Sequence, residues 1–201
     1  MSSQAGTAAA VQPKRQRGKQ RVQELLAAGG AVFAEKGYNA ATMTEIAARA
    51  GAPIGSLYQF FPSKEALADT LVQNYVELLT ADLEALESQG RNLSTAALIE
   101  GLFSLLRAHP RERAATLPLA ETRMDERTRR ETFRYVLRKR IAAILRARSP
   151  AMSAETAKDR AIVILQLMKA ASSLSDEEGL SGRATALREL QTLTAHYLEQ
   201  R

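Results

Sequence analysis

An all-α fold is predicted by three features of the 201-residue chain. Apolar residues recur at helical spacing, glycine and proline cut the chain into helix-length pieces, and no segment reads as a strand. The punctuation is dense before residue 65 and sparse after it. This predicts a head of three short helices, a long fourth helix, and a body of further helices. With 45% hydrophobic and 25% charged residues, the chain has the composition of a soluble globular protein able to bury a core.

Residues 1–18 are small and polar, then basic. Lys14, Arg15, Arg17, Lys19 and Arg21 crowd together with little to bury, so a disordered tail leading into a basic arm is expected. Val22, Leu25, Leu26, Val32 and Phe33 then follow the one-face spacing of a first helix, which Gly37 ends and which Gly29 and Gly30 weaken internally. Thr42 opens a second helix. Its hydroxyl can cap while Glu45 reaches back, the reciprocal arrangement of a T-x-x-E capping box. Ile46, Ala47 and Ala50 form the buried side, and Gly51 stops it. Pro53 pre-sets the backbone for a short third helix that carries Leu57 and Phe61 inward before Pro62 blocks it. Ser63 caps the fourth helix, where Leu67, Leu71, Tyr75, Leu78, Leu79 and Leu86 are expected on one face.

Beyond residue 90, helices are expected over 94–109, 111–123 (disturbed by Pro118), 126–148, 153–175 and 183–200. Phe133, Val136, Leu137, Ile141, Ile144 and Leu145 make an amphipathic stripe. Ile162, Val163, Ile164, Leu165, Leu167 and Met168 are apolar nearly all round, so that helix should be buried on several sides.

The formal net charge of +6 favours acidic partners such as nucleic acid or an anionic membrane. With no cysteine there is no disulfide framework, thiolate metal site or thiol nucleophile, which fits a reducing cytoplasm. The N-terminus lacks an apolar signal core, and the run AIVIL is too short to span a bilayer, so neither export nor membrane insertion is expected. His109 and His196 stand far apart, without the H-x-x-x-H spacing of a metal site. The stretch GLSG at 179–182 lacks the spacing of a nucleophile elbow, and no phosphate-binding or dinucleotide fingerprint occurs. No catalytic residue, metal or cofactor is expected. Asn92-Leu93-Ser94 matches a glycosylation sequon but reads as a helix start.

A helix ending at Gly51, a tight turn and a short helix from about Pro53 form the pattern of a helix-turn-helix, whose second helix enters the major groove. Gly55 allows close backbone approach and Ser56 offers a small donor. Tyr58 can reach a phosphate oxygen, and Ser63 with Lys64 opens the fourth helix where free amides and an ammonium favour phosphate.

The ordered string GYNAATMTEIAARAGAPIGSLYQFFPSKEAL resembles the DNA-binding region of the TetR family of bacterial transcriptional regulators, over about residues 21–75. That resemblance implies a head at 19–66 and a ligand-binding and dimerisation body at 67–201, joined by the fourth helix. It implies a cytoplasmic homodimer, with a dimer interface from the last two helices, that binds a palindromic double-stranded DNA operator. As a repressor it would be released by a small apolar or amphipathic effector. Thr42, Ser56, Tyr58 and Lys64 take phosphate-contacting positions, and Thr44, Ile54, Gly55 and Gln59 lie near base edges. Three departures stand out. Gly29 and Gly30 replace alanine and a larger apolar residue, Pro53 replaces a frequent serine, and Ile54 replaces a polar residue. Ile54 can meet only a thymine methyl group, which leaves hydrogen-bonded reading mainly to Gln59 and Thr44.

Leu98, Leu102, Phe103 and Leu106 can face Leu117, Met124, Phe133 and Leu137, with Met168 nearby, around an apolar ligand volume. Gly101 could open space there. The same stripes are equally a packed core. Two alternatives follow: a DNA-binding dimer without a ligand, or a helical module that holds a partner protein and carries its charge for solubility. The basic stretch 107–148 reads mainly as a solvated helix face, with one or two of its basic residues able to turn inward to hold an acidic ligand group.

Overall fold

The computed structural model describes residues 14–90, 92–121 and 126–200, and helices α1 to α9 account for nearly all of them. In the head, α1 (Lys14–Ala40), α2 (Met43–Arg49) and α3 (Ile54–Phe60) pack around Leu25, Phe33, Ile46 and Leu57, all fully buried. Burying each such side chain is worth roughly 1.5–3 kcal/mol. The long α4 (Lys64–Gly90) contributes Leu67 to this core and then leaves for the body. There α5 (Thr95–Ala108), α6 (Pro110–Glu121), α7 (Glu126–Arg148), α8 (Ala154–Asp176) and α9 (Arg183–Glu199) gather around Leu83, Leu98, Leu102, Ile141 and Ile164.

The expected helix starts are built as local chemistry requires. Ser63, Ser94 and Ser153 each accept a hydrogen bond from the backbone N–H three residues on, at 3.2, 3.1 and 3.0 Å. Gly37 (φ 74°) interrupts α1 where a stop was expected, and Gly51 (φ 58°) follows α2, both in the left-handed region that glycine enters without strain. The five body helices fall where they were expected to within two residues at each end.

Several readings are corrected. Residues 14–18, assigned to a disordered tail, are the first turn of α1. Leu78 is 37% exposed rather than in the buried stripe of α4, and Leu83 (0%), in register with Tyr75 and Leu79 at intervals of four, takes that face. Pro118 does not interrupt α6, which runs through it. Gly101 opens no space, because Leu86 fills the notch: a Cβ on Gly101 would stand 2.8 Å from Leu86 Cδ1. Gly29 and Gly30 are close-approach points. A Cβ on Gly29 would stand 2.5 Å from Leu67 Cδ2, and one on Gly30 would stand 2.9 Å from Ala115 Cβ of α6. Finally, α8 is not buried on all sides in a single chain: Ala161, Ile164, Leu165 and Met168 face the core, while Ile162 (41%) and Val163 (38%) face outward.

α6 ties the two parts together. It lies along α1 and against α4, and its Leu119, 7% exposed, belongs to the head's core rather than the body's. A displacement of α6 is therefore felt in the head.

Candidate nucleic-acid interface

The turn between α2 and α3 is held by backbone chemistry. Glu45 N–H donates to Thr42 Oγ1 at 3.2 Å while Thr42 N–H donates to the Glu45 carboxylate at 3.1 Å, the capping box expected from T-x-x-E. At the other end of α2, Ala52 N–H returns to Ala47 O at 3.0 Å across Gly51. Pro53 then stands at the N-cap of α3, and its carbonyl accepts from Ser56 N–H at 2.9 Å. Leu57, fully buried, pins the inner side of α3, and Phe61 at the C-cap is 5% exposed.

With Leu57 inward, the opposite side of α3 stands clear. Gly55 and Gln59 stand on that side, Tyr58 (49%) and the first residue Ile54 (41%) are exposed on its flank, and Ser56 is half-buried at the edge. Thr44 is exposed on α2. Among the described residues, a methyl group on Gly55 would meet nothing within 4 Å beyond its chain neighbours and its own helix backbone. The fold itself thus makes no demand for glycine there, and any demand comes from a surface outside the chain. Phe60 (38%) is a further exposed aromatic that sequence reasoning left without a role. It sits beside a shallow groove lined also by Val22, Leu26 and Lys19.

Two of the four expected phosphate contacts have work inside the protein. The Thr42 hydroxyl, besides accepting from Glu45 N–H, donates to the Glu45 carboxylate at 3.0 Å. Lys64 Nζ donates to the carbonyls of Tyr38, Asn39 and Ala41 at 2.9, 3.3 and 2.8 Å and lies 4.5 Å from the centre of the Tyr38 ring. It clamps the start of α4 to the end of α1. Ser56 and Tyr58 make no side-chain hydrogen bond within the described residues, so both hydroxyls can bond an external acceptor.

Side chains distant in sequence brace the unit. Arg49 bonds Glu35 through both guanidinium NH groups at 2.6 and 2.7 Å, which locks α2 to α1. Lys36 reaches Glu45 at 2.5 Å, and Tyr38 OH donates to Glu65 at 2.7 Å. The Arg49 hydrogen bonds hold the Glu35 carboxyl below its ordinary range, and those from Lys36 and then Thr42 do the same for Glu45. None of these braces was found from sequence. At the far end, Arg17 and Lys19 extend an exposed basic edge along the first turns of α1. The whole can lay α3 in a groove lined by phosphate while its frame stays fixed.

The residues offered as a ligand pocket divide differently. Leu102, Phe103, Leu137 and Met168 are all buried in the body's core. Met124 and the side chains of Leu106, Leu117 and Phe133 lie outside the described residues.

Residues 25–71 match the model of bacterial regulatory proteins of the tetR family, and residues 92–198 match the tetracyclin repressor-like C-terminal domain. Among curated proteins, the HTH-type transcriptional repressor KstR2 of Mycobacterium tuberculosis is 45% identical over 58 residues, 29% of this chain and 29% of its own length. The HTH-type transcriptional activator FasR of Mycolicibacterium smegmatis is 38% identical over 85 residues, 41% of this chain and 39% of its own. The chain therefore aligns with well under half the length of these relatives. Two solved structures share the whole fold. A transcriptional regulator (TerR/AcrR family) from Aquifex aeolicus superposes with TM-score 0.69 at 19% identity, over 89% of this chain and 98% of that one. A tetR-family regulatory protein from Rhodococcus superposes with TM-score 0.68 at 17% identity, over 89% and 97%.

Proposed function

The chain belongs to the TetR family of bacterial regulatory proteins, and on that premise we propose that it is a homodimeric, sequence-specific transcriptional regulator that lays α3 in the major groove of a palindromic operator. The observation that carries this reading is the outer face of α3: Ile54, Gly55, Tyr58 and Gln59 stand exposed on a helix pinned from behind by Leu57. Ser56 and Tyr58 contact phosphate. Ile54 meets a thymine methyl group, and Gln59 and Thr44 read base edges by hydrogen bonds. Thr42 and Lys64 act mainly by holding α2 and α4 in register, and they add their charge and dipole to the phosphate-facing side.

Dimerisation places two copies of α3 on one face of the duplex, about one helical turn apart or a multiple of it. Its support is the outward apolar side of α8 and α9, where Ile162, Val163 and Leu193 (62% exposed) are uncovered in one chain. Among the described residues no helix is long and apolar enough to cross a membrane.

An effector bound in the body acts through α6. If it favours a position of α6 that turns the head, operator affinity falls by its differential affinity for the two states, typically about 1–3 kcal/mol. Repression relieved by ligand is the sign proposed, although the similar regulators named above include an activator. One observation favours the alternative of a dimer without a ligand: Leu102, Phe103, Leu137 and Met168, offered as pocket wall, are packed against other side chains as core. The test of the DNA-binding reading is selection of duplexes from a random library by the purified protein at moderate salt. One enriched palindrome is expected. Binding without sequence preference that vanishes as salt rises would sink it and favour a protein-interaction module.

A further inference from the structure

Among the described residues, three cations of the body have no counter-charge. Arg134 and Arg138 stand one turn apart on α7 and so share a side of that helix, and α8 packs along it. Lys169 of α8 lies near both. Burial first, then the charges of Arg134 and Arg138, hold its amine below the ordinary value of 10.5. None of the three enters an ion pair or a side-chain hydrogen bond among the described residues.

Neighbouring cations do find partners. Arg140 pairs with Glu84 and lies 3.9 Å from Glu87, Arg113 holds Asp176 at 2.5 Å, and Arg148 donates to Leu93 O and Thr95 Oγ1. The described acids of α8 offer Lys169 nothing. Asp176 is taken by Arg113, and Asp159 and Glu155 lie about 15 and 21 Å back along the helix axis at 1.5 Å per residue.

A solvated basic face keeps its N–H groups in water, but here the Nε of Arg138 is buried and has no hydrogen-bond partner. Such a group is costly to leave unmade, and like charges beside it add to the cost. Arg138 and Lys169 also directly follow Leu137 and Met168 in the chain, and both of those are core residues. The seam thus runs beside the packed core of the body and carries cationic donors that no described acid neutralises. A guanidinium fork matches the planar or tetrahedral oxygens of carboxylate and phosphate, and a lysine adds a point charge.

We propose that the α7–α8 seam at Arg134, Arg138 and Lys169 binds the anionic group, carboxylate or phosphate, of a small amphipathic molecule whose apolar part lies against the body's core. This deepens the reading of the body as an effector domain and rests on it.

The test is thermal unfolding of the full chain and its Lys169→Met variant. Sodium chloride is compared with sodium pyrophosphate and sodium octanoate at equal ionic strength, and with octanol as the neutral match to octanoate. In chloride alone, Lys169→Met should raise Tm by about 2 °C, because the variant keeps the stem and removes an uncompensated charge. Octanoate or pyrophosphate should raise the wild-type Tm above the chloride and octanol values, and the variant should lose that rise. A rise with octanoate alone assigns a carboxylate, and one with pyrophosphate alone a phosphate. A lower Tm for the variant in chloride, or no anion-specific rise in wild type that the variant loses, overturns the proposal. In the same samples without additive, both proteins should bind a selected operator equally. Failure of the wild type to bind any duplex would strike the regulatory reading instead.

Discussion

Replacing Gly30 by alanine tests the joint between head and body. A Cβ on Gly30 stands 2.9 Å from Ala115 Cβ and 3.7 Å from Leu71 Cδ2. Carbon contacts settle near 3.5–4.0 Å, so α6 must withdraw by about 0.6 Å or more, since the obstructing Ala115 methyl is fixed to its backbone and cannot swing aside. Overpacking of this kind costs about 1–3 kcal/mol, and the better helix propensity of alanine returns about 1. The net loss is therefore about 0–2 kcal/mol, a fall in Tm of up to about 8 °C for a chain of this size. A double-mutant cycle with Ala115→Gly isolates the contact. Once the facing methyl is gone, Gly30→Ala should stabilise the protein by up to about 1 kcal/mol, which gives a coupling of about 1–3 kcal/mol in denaturant or thermal unfolding. Operator affinity should fall in Gly30→Ala and recover in the double variant. Additivity within about 0.5 kcal/mol would refute the claim that α6 seats on α1 at this glycine.

Three further outcomes follow from the head. Gly55→Ala should stabilise the fold by about 0.5–1 kcal/mol, because nothing among the described residues crowds the new methyl group, yet weaken operator binding at least tenfold; a gain in both would remove the reason for glycine on α3. Lys64→Met should lower head stability by about 1.5–3 kcal/mol through loss of charge-assisted bonds to the carbonyls of Tyr38, Asn39 and Ala41, measured by urea unfolding. If it left stability intact and only flattened the salt dependence of binding, Lys64 would be a phosphate contact and not a clamp. Glu35 and Glu45 have carboxyls lowered in the folded state from 4.5, so the folded protein binds fewer protons there than the unfolded chain. Their contribution is full above pH 4.5 and is lost as pH falls through the lower folded values. Glu35→Gln should flatten that acid limb of the Tm–pH curve.

What could be read beforehand was the chemistry that lies within four residues. Thr42 with Glu45, the serines at 63, 94 and 153, and Gly37 and Gly51 each act on the backbone beside them, so spacing alone located them. The outward side of α3 was legible for the same reason, since fixing Leu57 inward turns Gly55 and Gln59 to the opposite side; Ile54, three residues before Leu57, is exposed as the first residue of the helix. Contacts between distant elements were not. Arg49 finds Glu35 across 14 residues and Lys64 finds Tyr38 O across 26, and no local pattern distinguishes either from an exposed charge. Lys64 was for that reason read as a phosphate ligand alone. Gly29 and Gly30 looked like weak points because their packing partners, Leu67 and Ala115, lie in later helices. On α4, Leu78 and Leu79 adjoin in sequence but turn to different sides, and only the neighbours decide which is buried.

The claim that α3 reads DNA is tested most directly by repeating the random-duplex selection with Ile54→Ala beside the wild type. Loss of the methyl-contacting side chain should relax preference at one thymine position in each half-site, placed symmetrically, and leave the rest of the palindrome and its spacing unchanged. An enriched sequence identical for both proteins at every position would contradict the assignment of α3 as the recognition helix in this register.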